Sequence, residues 1–349
     1  MPIDILFLKG DRKNMKIIVD AFGGDNAPVE IIKGCAMAVQ KFDDVEIILA
    51  GDEERINEVI ESEGLARERM EIVHAPDVIE MSDHPTELMK SKKNSSMAVG
   101  LRLLAEGGGD AMISAGSTGA MLTGATLIVK RIKGIKRPAL APVMPNADGK
   151  FMLIDCGANA DCRPEMLVQF AHMGSVYMKN VLGVENPRVG LANIGTEETK
   201  GDELRKATYA LLKDEPNINF IGNFETRGIA EGGVDVLVTD GFTGNIILKT
   251  YEGVASMLSG KFKGVFKKNI FNKLGAAVML KDLNDIKKSM DHNEYGGAPF
   301  LGVKKPVFKA HGSSKAITIC NAIRLTREFV SSDVIGKIAE DISVSAEEQ

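Results

Sequence analysis

Six short apolar runs in this chain each end in a turn built from glycine and small polar residues. Lys16–Asp20 runs into Ala21-Phe22-Gly23-Gly24-Asp25, and Asp110–Ser114 into Ala115-Gly116-Ser117-Thr118-Gly119. Phe151–Asp155 runs into Cys156-Gly157-Ala158-Asn159, and Arg188–Asn193 into a turn holding Gly195, Thr196, Lys200 and Gly201. Asp235–Thr239 precedes Asp240-Gly241-Phe242-Thr243-Gly244-Asn245, and Val307–Lys309 precedes Ala310-His311-Gly312-Ser313-Ser314. Helical stretches are interspersed at Ile31–Gln40, Glu53–Glu63, Glu165–Val181, Leu204–Lys213 and Ser314–Phe329. Val45–Ala50, Glu71–His74 and Asn219–Ile221 add further strands. Near-continuous apolar strands alternating with helices predict an α/β fold: a mostly parallel sheet covered by helices on both faces. In such sheets ligands bind at the carboxyl ends of the strands, so the six turns are expected to line one crevice.

The 349 residues allow about two domains or one large α/β unit. No internal repeat or Pro/Ser-rich linker divides them. A single α/β domain is therefore expected over 15–335, with 1–14 as a loose N-terminal extension and 336–349 as a polar C-terminal tail. Residues 76–95 read as an irregular loop or lid. With 43 basic against 48 acidic residues and no Trp, the chain lacks the signature of a nucleic-acid binder. Cys35, Cys156, Cys162 and Cys320 show no paired spacing, which predicts reduced thiols and no zinc site. No apolar run approaches the roughly 20 residues of a membrane-spanning helix.

Glycine turns opening onto helix N-termini suit an anion, since backbone N–H groups approach it closely and the helix dipole favours it. Ser117, Thr118, Thr196, Thr243 and Ser313 add hydroxyl donors and Lys200 a fixed positive charge, so phosphate is the natural ligand. Neither GxxxxGK[ST] nor GxGxxG occurs, which leaves nucleotide fingerprints unsupported. Asp20 and Asp155 stand at strand ends, where capping a turn is the ordinary role. Ala115-Gly116-Ser117-Thr118-Gly119 is one substitution from a nucleophile elbow, with Asp240 and His311 following in hydrolase order, so a serine acyl-enzyme is a rival reading. His74, His84, His172 and His292 have no partners by spacing. Only His311 lies in a strand-end turn.

Residues 258–281 carry Lys261, Lys263, Lys267, Lys268, Lys273 and Lys281 with no acidic residue among them. On one helix, Leu258, Phe262, Val265, Phe266 and Ile270 fall on one arc, with Lys267 and Lys268 elsewhere. Such a basic amphipathic excursion suits a membrane surface or an acidic partner; the alternative is an ordinary packed helix with a solvated lysine face.

Taken together, VDAFGGDNAP at 19–28, ISAGSTGA at 113–120, DCGAN at 155–159, NIGTEETKG at 193–201, TDGFTGN at 239–245 and YGGAPFLG at 295–302 resemble the bacterial phosphate acyltransferase (PlsX) family. The resemblance runs from about Met15 to Phe329. Phe22 replaces the usual Met, and Asn26 stands where His is common, so position 26 receives no proton-transfer role. The resemblance implies transfer of an acyl group from acyl-[acyl carrier protein] to inorganic phosphate, giving acyl phosphate for phospholipid synthesis. A phosphotransacetylase-like enzyme using acyl-CoA and a non-enzymatic membrane scaffold are the alternatives.

The implied fold is a three-layer α/β/α sandwich like the isocitrate and isopropylmalate dehydrogenases. The implied protein is a cytoplasmic homodimer that associates peripherally with membrane. The implied partners are acyl carrier protein, phosphate, the membrane surface and the acyl phosphate–glycerol-3-phosphate acyltransferase. No cofactor or metal is expected. For that chemistry Lys200, Asn159 and His311 are the expected catalytic residues. Gly23, Gly24, Asp25, Ser117, Thr118, Gly195, Thr196, Asp240, Gly241, Asn245 and Ser313 are expected to bind substrate.

Overall fold

The computed structural model describes residues 14–279 and 296–347. Residues 1–13 of the expected extension and the end of the 258–281 segment lie outside the described residues. The strands are β1 (Met15–Asp20), β2 (Val45–Gly51), β3 (Met70–His74), β4 (Ala111–Ser114), β5 (Ala139–Leu140), β6 (Val143–Asn146), β7 (Gly149–Ile154), β8 (Val189–Asn193), β9 (Phe220–Glu225), β10 (Val236–Val238), β11 (Ala298–Leu301) and β12 (Val307–Lys309). The helices are α1 (Val29–Lys41), α2 (Glu53–Ser62), α3 (Ser96–Ala105), α4 (Thr118–Gly124), α5 (Pro164–Leu182), α6 (Glu203–Lys213), α7 (Gly241–Lys267), α8 (Ile270–Val278), α9 (Ala316–Ser331) and α10 (Val334–Glu347).

The strands form two sheets, in the orders β3-β2-β1-β4-β12-β11-β5 and β6-β7-β10-β8-β9. All pairings are parallel except β11 with β12, β11 with β5, and β6 with β7. The three antiparallel pairings, which the sequence does not announce, sit where the sheets meet. There one extended stretch pairs through β5 with β11 and through β6 with β7. Leu140 N–H donates to Asp155 Oδ1 (2.9 Å) and Cys156 N–H to Leu140 O (2.9 Å), which ties the end of β7 to β5.

Side chains alternate across each sheet, and both faces are buried. Ile17 and Val19 of β1 face α1 and α9, whereas Ile18 faces Leu101 and Leu104 of α3. In the second sheet Met152 and Ile154 face α5, and Phe151 and Leu153 face the other way, toward Leu248 and Tyr251 of α7. This is the expected three-layer α/β/α arrangement, built twice.

Two expectations change. Residues 336–347, expected in a polar tail, are helical and belong to α10, which buries Val334, Ile338 and Ile342 at spacings of four. The helix expected over 258–281 begins much earlier, at Gly241, and breaks at Lys268 and Asn269. Asn269 caps a new helix by accepting from Asn272 N–H (2.8 Å), so Ile270 opens α8 and leaves the arc of Leu258 and Phe262. The loop over 76–95 is irregular around one 3-10 turn, Pro85–Met89, which packs against α4 beside Gly119.

α10 is pinned by a charged contact. His172 on α5 is 2% exposed, with Nδ1 2.7 Å from Asp341 Oδ2 and Nε2 3.3 Å from Glu215 Oε1. Burial alone would lower its pKa, but the two carboxylates outweigh burial and hold it above the ordinary histidine value. The imidazolium therefore contributes stability that is fully present below the unfolded-state pKa and is lost as pH rises through the higher folded value. Asp341→Asn is expected to lower stability at pH 6 by about 1.5–3 kcal/mol and to flatten the fall in Tm between pH 6 and 8, as read by calorimetry. An unchanged pH slope in that variant would contradict the assignment.

Candidate active site

The strand-end turns hold one another at close quarters. Asp20 is buried and accepts from Ser114 Oγ (2.5 Å) and Phe22 N–H (3.3 Å). Burial pushes its pKa up, against those hydrogen bonds. A Cβ on Gly23 would lie 2.7 Å from Gly116 N, so that turn admits no side chain. Asp25 N–H donates to Gly312 O (2.8 Å). Three turns of the first sheet thus form one rigid rim.

The second sheet answers with the start of α7. Asp240 caps that helix, accepting from Thr243 N–H (2.8 Å) and Thr243 Oγ1 (2.8 Å), and pairs with Arg205 of α6. These contacts lower the Asp240 pKa in spite of burial. Gly241 and Gly244 press against the end of β7. A Cβ on Gly241 would lie 2.7 Å from Asn159 O, and one on Gly244 would overlap the carbonyl oxygen of Asp155. Helix–strand approach thus accounts for the glycines of TDGFTGN.

Between the two rims lies a cleft of about 350 Å³. Thr118, Asn245 and His311, all expected from the sequence, line it together with Gly157 of the DCGAN turn. His311 Nδ1 lies 2.8 Å from Ser313 Oγ. The remaining expected residues fall around the cleft. Ser117 caps α4 from below the surface, at 8% exposure. Asn159 commits both side-chain amide hydrogens, to Pro138 O (2.8 Å) and Asp155 Oδ2 (2.9 Å), and so shapes the turn. Gly195, Thr196 and Lys200 are not among the lining residues. Lys200 is exposed on the β8 turn, its stem packed over Gly195 and its carbonyl accepting from Asn193 Nδ2 (3.1 Å).

A different lysine is in the cleft. Lys309 ends β12 and donates from Nζ to Ala115 O (3.2 Å) and to Ala310 O. Burial pushes its pKa down to about 8, helped by Lys249 and opposed by Asp20 and Asp25. It lines the cleft together with Lys249 of α7. The only sequence signal was its place, a lysine closing the apolar run of β12 just before the Ala310-His311-Gly312 turn. Among the described residues no group of three or more His, Cys, Asp or Glu forms a metal cage.

A cation beside small hydroxyl and amide donors can hold a tetrahedral oxyanion and stabilise charge that develops on a neighbouring carbonyl. The comparisons with known proteins agree in kind. Residues 15–337 match the family described as "Fatty acid synthesis protein". The phosphate acyltransferase of Clostridium perfringens (strain SM101) is 52% identical over 329 residues, covering 94% of this chain and 97% of the relative. That of Caldanaerobacter subterraneus is 49% identical over 334 residues, covering 96% and 99%.

Among solved structures, the EutD phosphotransacetylase of Staphylococcus aureus superposes with a TM-score of 0.61 at 18% identity, covering 91% of this chain and 95% of its own. A phosphotransacetylase of Streptococcus pyogenes gives 0.61 at 19%, covering 91% and 94%. These two share the fold. With turns, cleft and near-full-length relatives in agreement, the chain belongs to the phosphate acyltransferase (PlsX) family of enzymes.

Proposed function

We propose that this enzyme moves a fatty acyl group from the thioester of an acyl-[acyl carrier protein] to inorganic phosphate, releasing acyl phosphate and the free carrier. The observation that carries this reading is the placement of Lys309, a half-buried cation among polar groups in a cleft that also has apolar lining, Leu140, Val143, Met144 and Leu248 among it. Phosphate is itself a nucleophile, so no covalent enzyme intermediate is needed. One phosphate oxygen attacks the thioester carbonyl carbon. The C–O bond forms, the C–S bond breaks, and the carrier thiolate leaves and takes up a proton. Lys309 and Lys249 hold the dianion, while Thr118 and Asn245 donate to phosphate or to the carbonyl oxygen. His311 orients the approach. Lys200, Gly195 and Thr196 act from the flank of the crevice, on incoming phosphate or the pantetheine arm.

The acidic carrier needs a local positive field on a chain of net charge -5. We assign the lysines of α7 and α8 to an anionic membrane surface instead, because Leu258 (40%), Phe262 (60%), Val265 (55%), Ile270 (62%) and Phe271 (79%) are exposed beside them. Phe266 is half-buried between the same lysines. No described helix is long and apolar enough to cross a membrane. Family resemblance alone supports a homodimer and a hand-off to the glycerol-3-phosphate acyltransferase.

Incubating the protein with long-chain acyl-carrier protein is expected to give hydroxylamine-trappable acyl phosphate only when phosphate is present. Carrier release without phosphate would indicate hydrolysis through Ser117. Preference for acyl-CoA would indicate a phosphotransacetylase-like enzyme, and no turnover a scaffold. Lys309→Met is expected to reduce kcat/KM for phosphate by at least 100-fold, about 2.7 kcal/mol, and Lys200→Ala by much less. The reverse ranking would return the phosphate grip to Lys200. Because the Lys309 pKa lies near 8, the KM for phosphate is expected to climb as pH rises above that value and the cation is lost. The double variant Lys267→Glu/Lys268→Glu is expected to lose binding to anionic vesicles. A rise in the KM for carrier protein with vesicle binding intact would assign those lysines to the carrier.

A further inference from the structure

The cleft has a polar end and an apolar end. Beyond Lys309 and His311 it continues between the stretch Pro142–Pro145 and one face of α7, formed by Leu248, Tyr251 and Ala255. Those three are separated by three and four residues and so stack on one side of the helix. Continuing with steps of three, four and three gives Leu258, Phe262 and Val265. The inner three border the cleft, and the outer three are exposed at 40%, 60% and 55%. A single apolar stripe therefore starts inside the site and runs outward along the helix. Tyr251 fixes the wall opposite, donating from its hydroxyl to Pro145 O (2.7 Å). The two charges nearby, Lys249 and Glu252, pair with each other at 2.8 Å and leave the stripe apolar. Between Asn245 and Ala255 the helix advances about 15 Å, comparable to an extended medium-length acyl group.

We infer that this apolar limb is the slot for the acyl chain, and that Ala255 determines how long a chain it accepts. The carbonyl end lies by Lys309, and the chain passes Leu248 and Tyr251. It leaves over Ala255, the smallest side chain of the stripe, at the point where the cleft gives way to the exposed helix. A larger residue there would close the slot. The identity of the head group rests on the function proposed above. The apolar limb itself rests on the lining alone, and each methylene buried in it strengthens binding by about fourfold.

The test is calorimetric titration of the full-length protein with decylphosphonate and butylphosphonate, which share a head group and differ in tail. The wild-type protein is expected to bind the decyl compound at least 100-fold more tightly. Ala255→Phe is expected to cut that ratio at least tenfold, and Ala255→Leu to cut it less. Val254→Phe, on a neighbouring exposed face, is expected to leave it in place. A flat tail dependence in the wild-type protein would overturn the slot, and so would an unchanged ratio in both Ala255 variants. Strong tail dependence in a protein without phosphate-dependent turnover would sustain the slot and refute the proposed reaction. Turnover without tail dependence would do the reverse.

Discussion

The Asp155 carboxylate accepts from the backbone N–H groups of Leu140 (2.9 Å), Ala158 (3.2 Å) and Asn159 (2.7 Å), and from Asn159 Nδ2 (2.9 Å). Leu140 belongs to the first sheet through β5, and Asp155 closes β7 of the second. One buried side chain thus links the two sheets, beside the backbone bonds from Leu153 N–H to Pro142 O and Cys156 N–H to Leu140 O, and shapes the turn that follows β7. Its burial is unfavourable for a charge, and its pKa is raised to about 6 even with four donors. Gly241 and Gly244 bring α7 onto the same strand end, so the helix that walls the cleft takes its position from that carboxylate as well.

The electrostatics of the cleft follow from this framing. Carboxylates at the rims are satisfied internally: Asp20 by Ser114, and Asp240 by Thr243 and Arg205. Lys309 donates to two carbonyl oxygens, of Ala115 and Ala310, while the carboxylates of Asp20 and Asp25 favour its charged form from a distance. Its direct hydrogen bonds are to dipoles rather than to a carboxylate, and a partly buried cation acts more strongly on a ligand than it would in water.

Much of this was legible in the sequence, for definite reasons. Runs such as Ile17–Val19 and Ile47–Leu49 are apolar without alternation and mostly β-branched, which suits a doubly covered sheet. The strands at the junction were not legible. β5 has two residues, while β6 and β11 contain Pro145 and Pro299, and their pairing comes from their neighbours rather than from local preference. α10 hid its Val334, Ile338 and Ile342 stripe in polar surroundings. The turns pointed to strand ends that border the cleft, and Thr118, Asn245 and His311 line it. The pattern of the turns did not reveal that Gly241 packs against the end of β7 and that Asp240 caps α7. Lys309 read as a strand residue because its direction depends on pairing with Ser114 of β4. Starting the amphipathic pattern at Leu258 concealed its inner half, Leu248 to Ala255.

The continuity of α7 makes angular phase a constraint on its evolution. Each residue turns the helix by about 100°, so inserting or deleting one between Ala255 and Leu258 would swing Phe262 and Val265 away from the line of the cleft while leaving composition and hydropathy almost untouched. Removing seven residues, about two turns, would preserve alignment to within some 20°. Lineages that lengthen or shorten this arm are therefore expected to do so in increments near whole turns, a rule that would be invisible to any comparison counting only which residues are present.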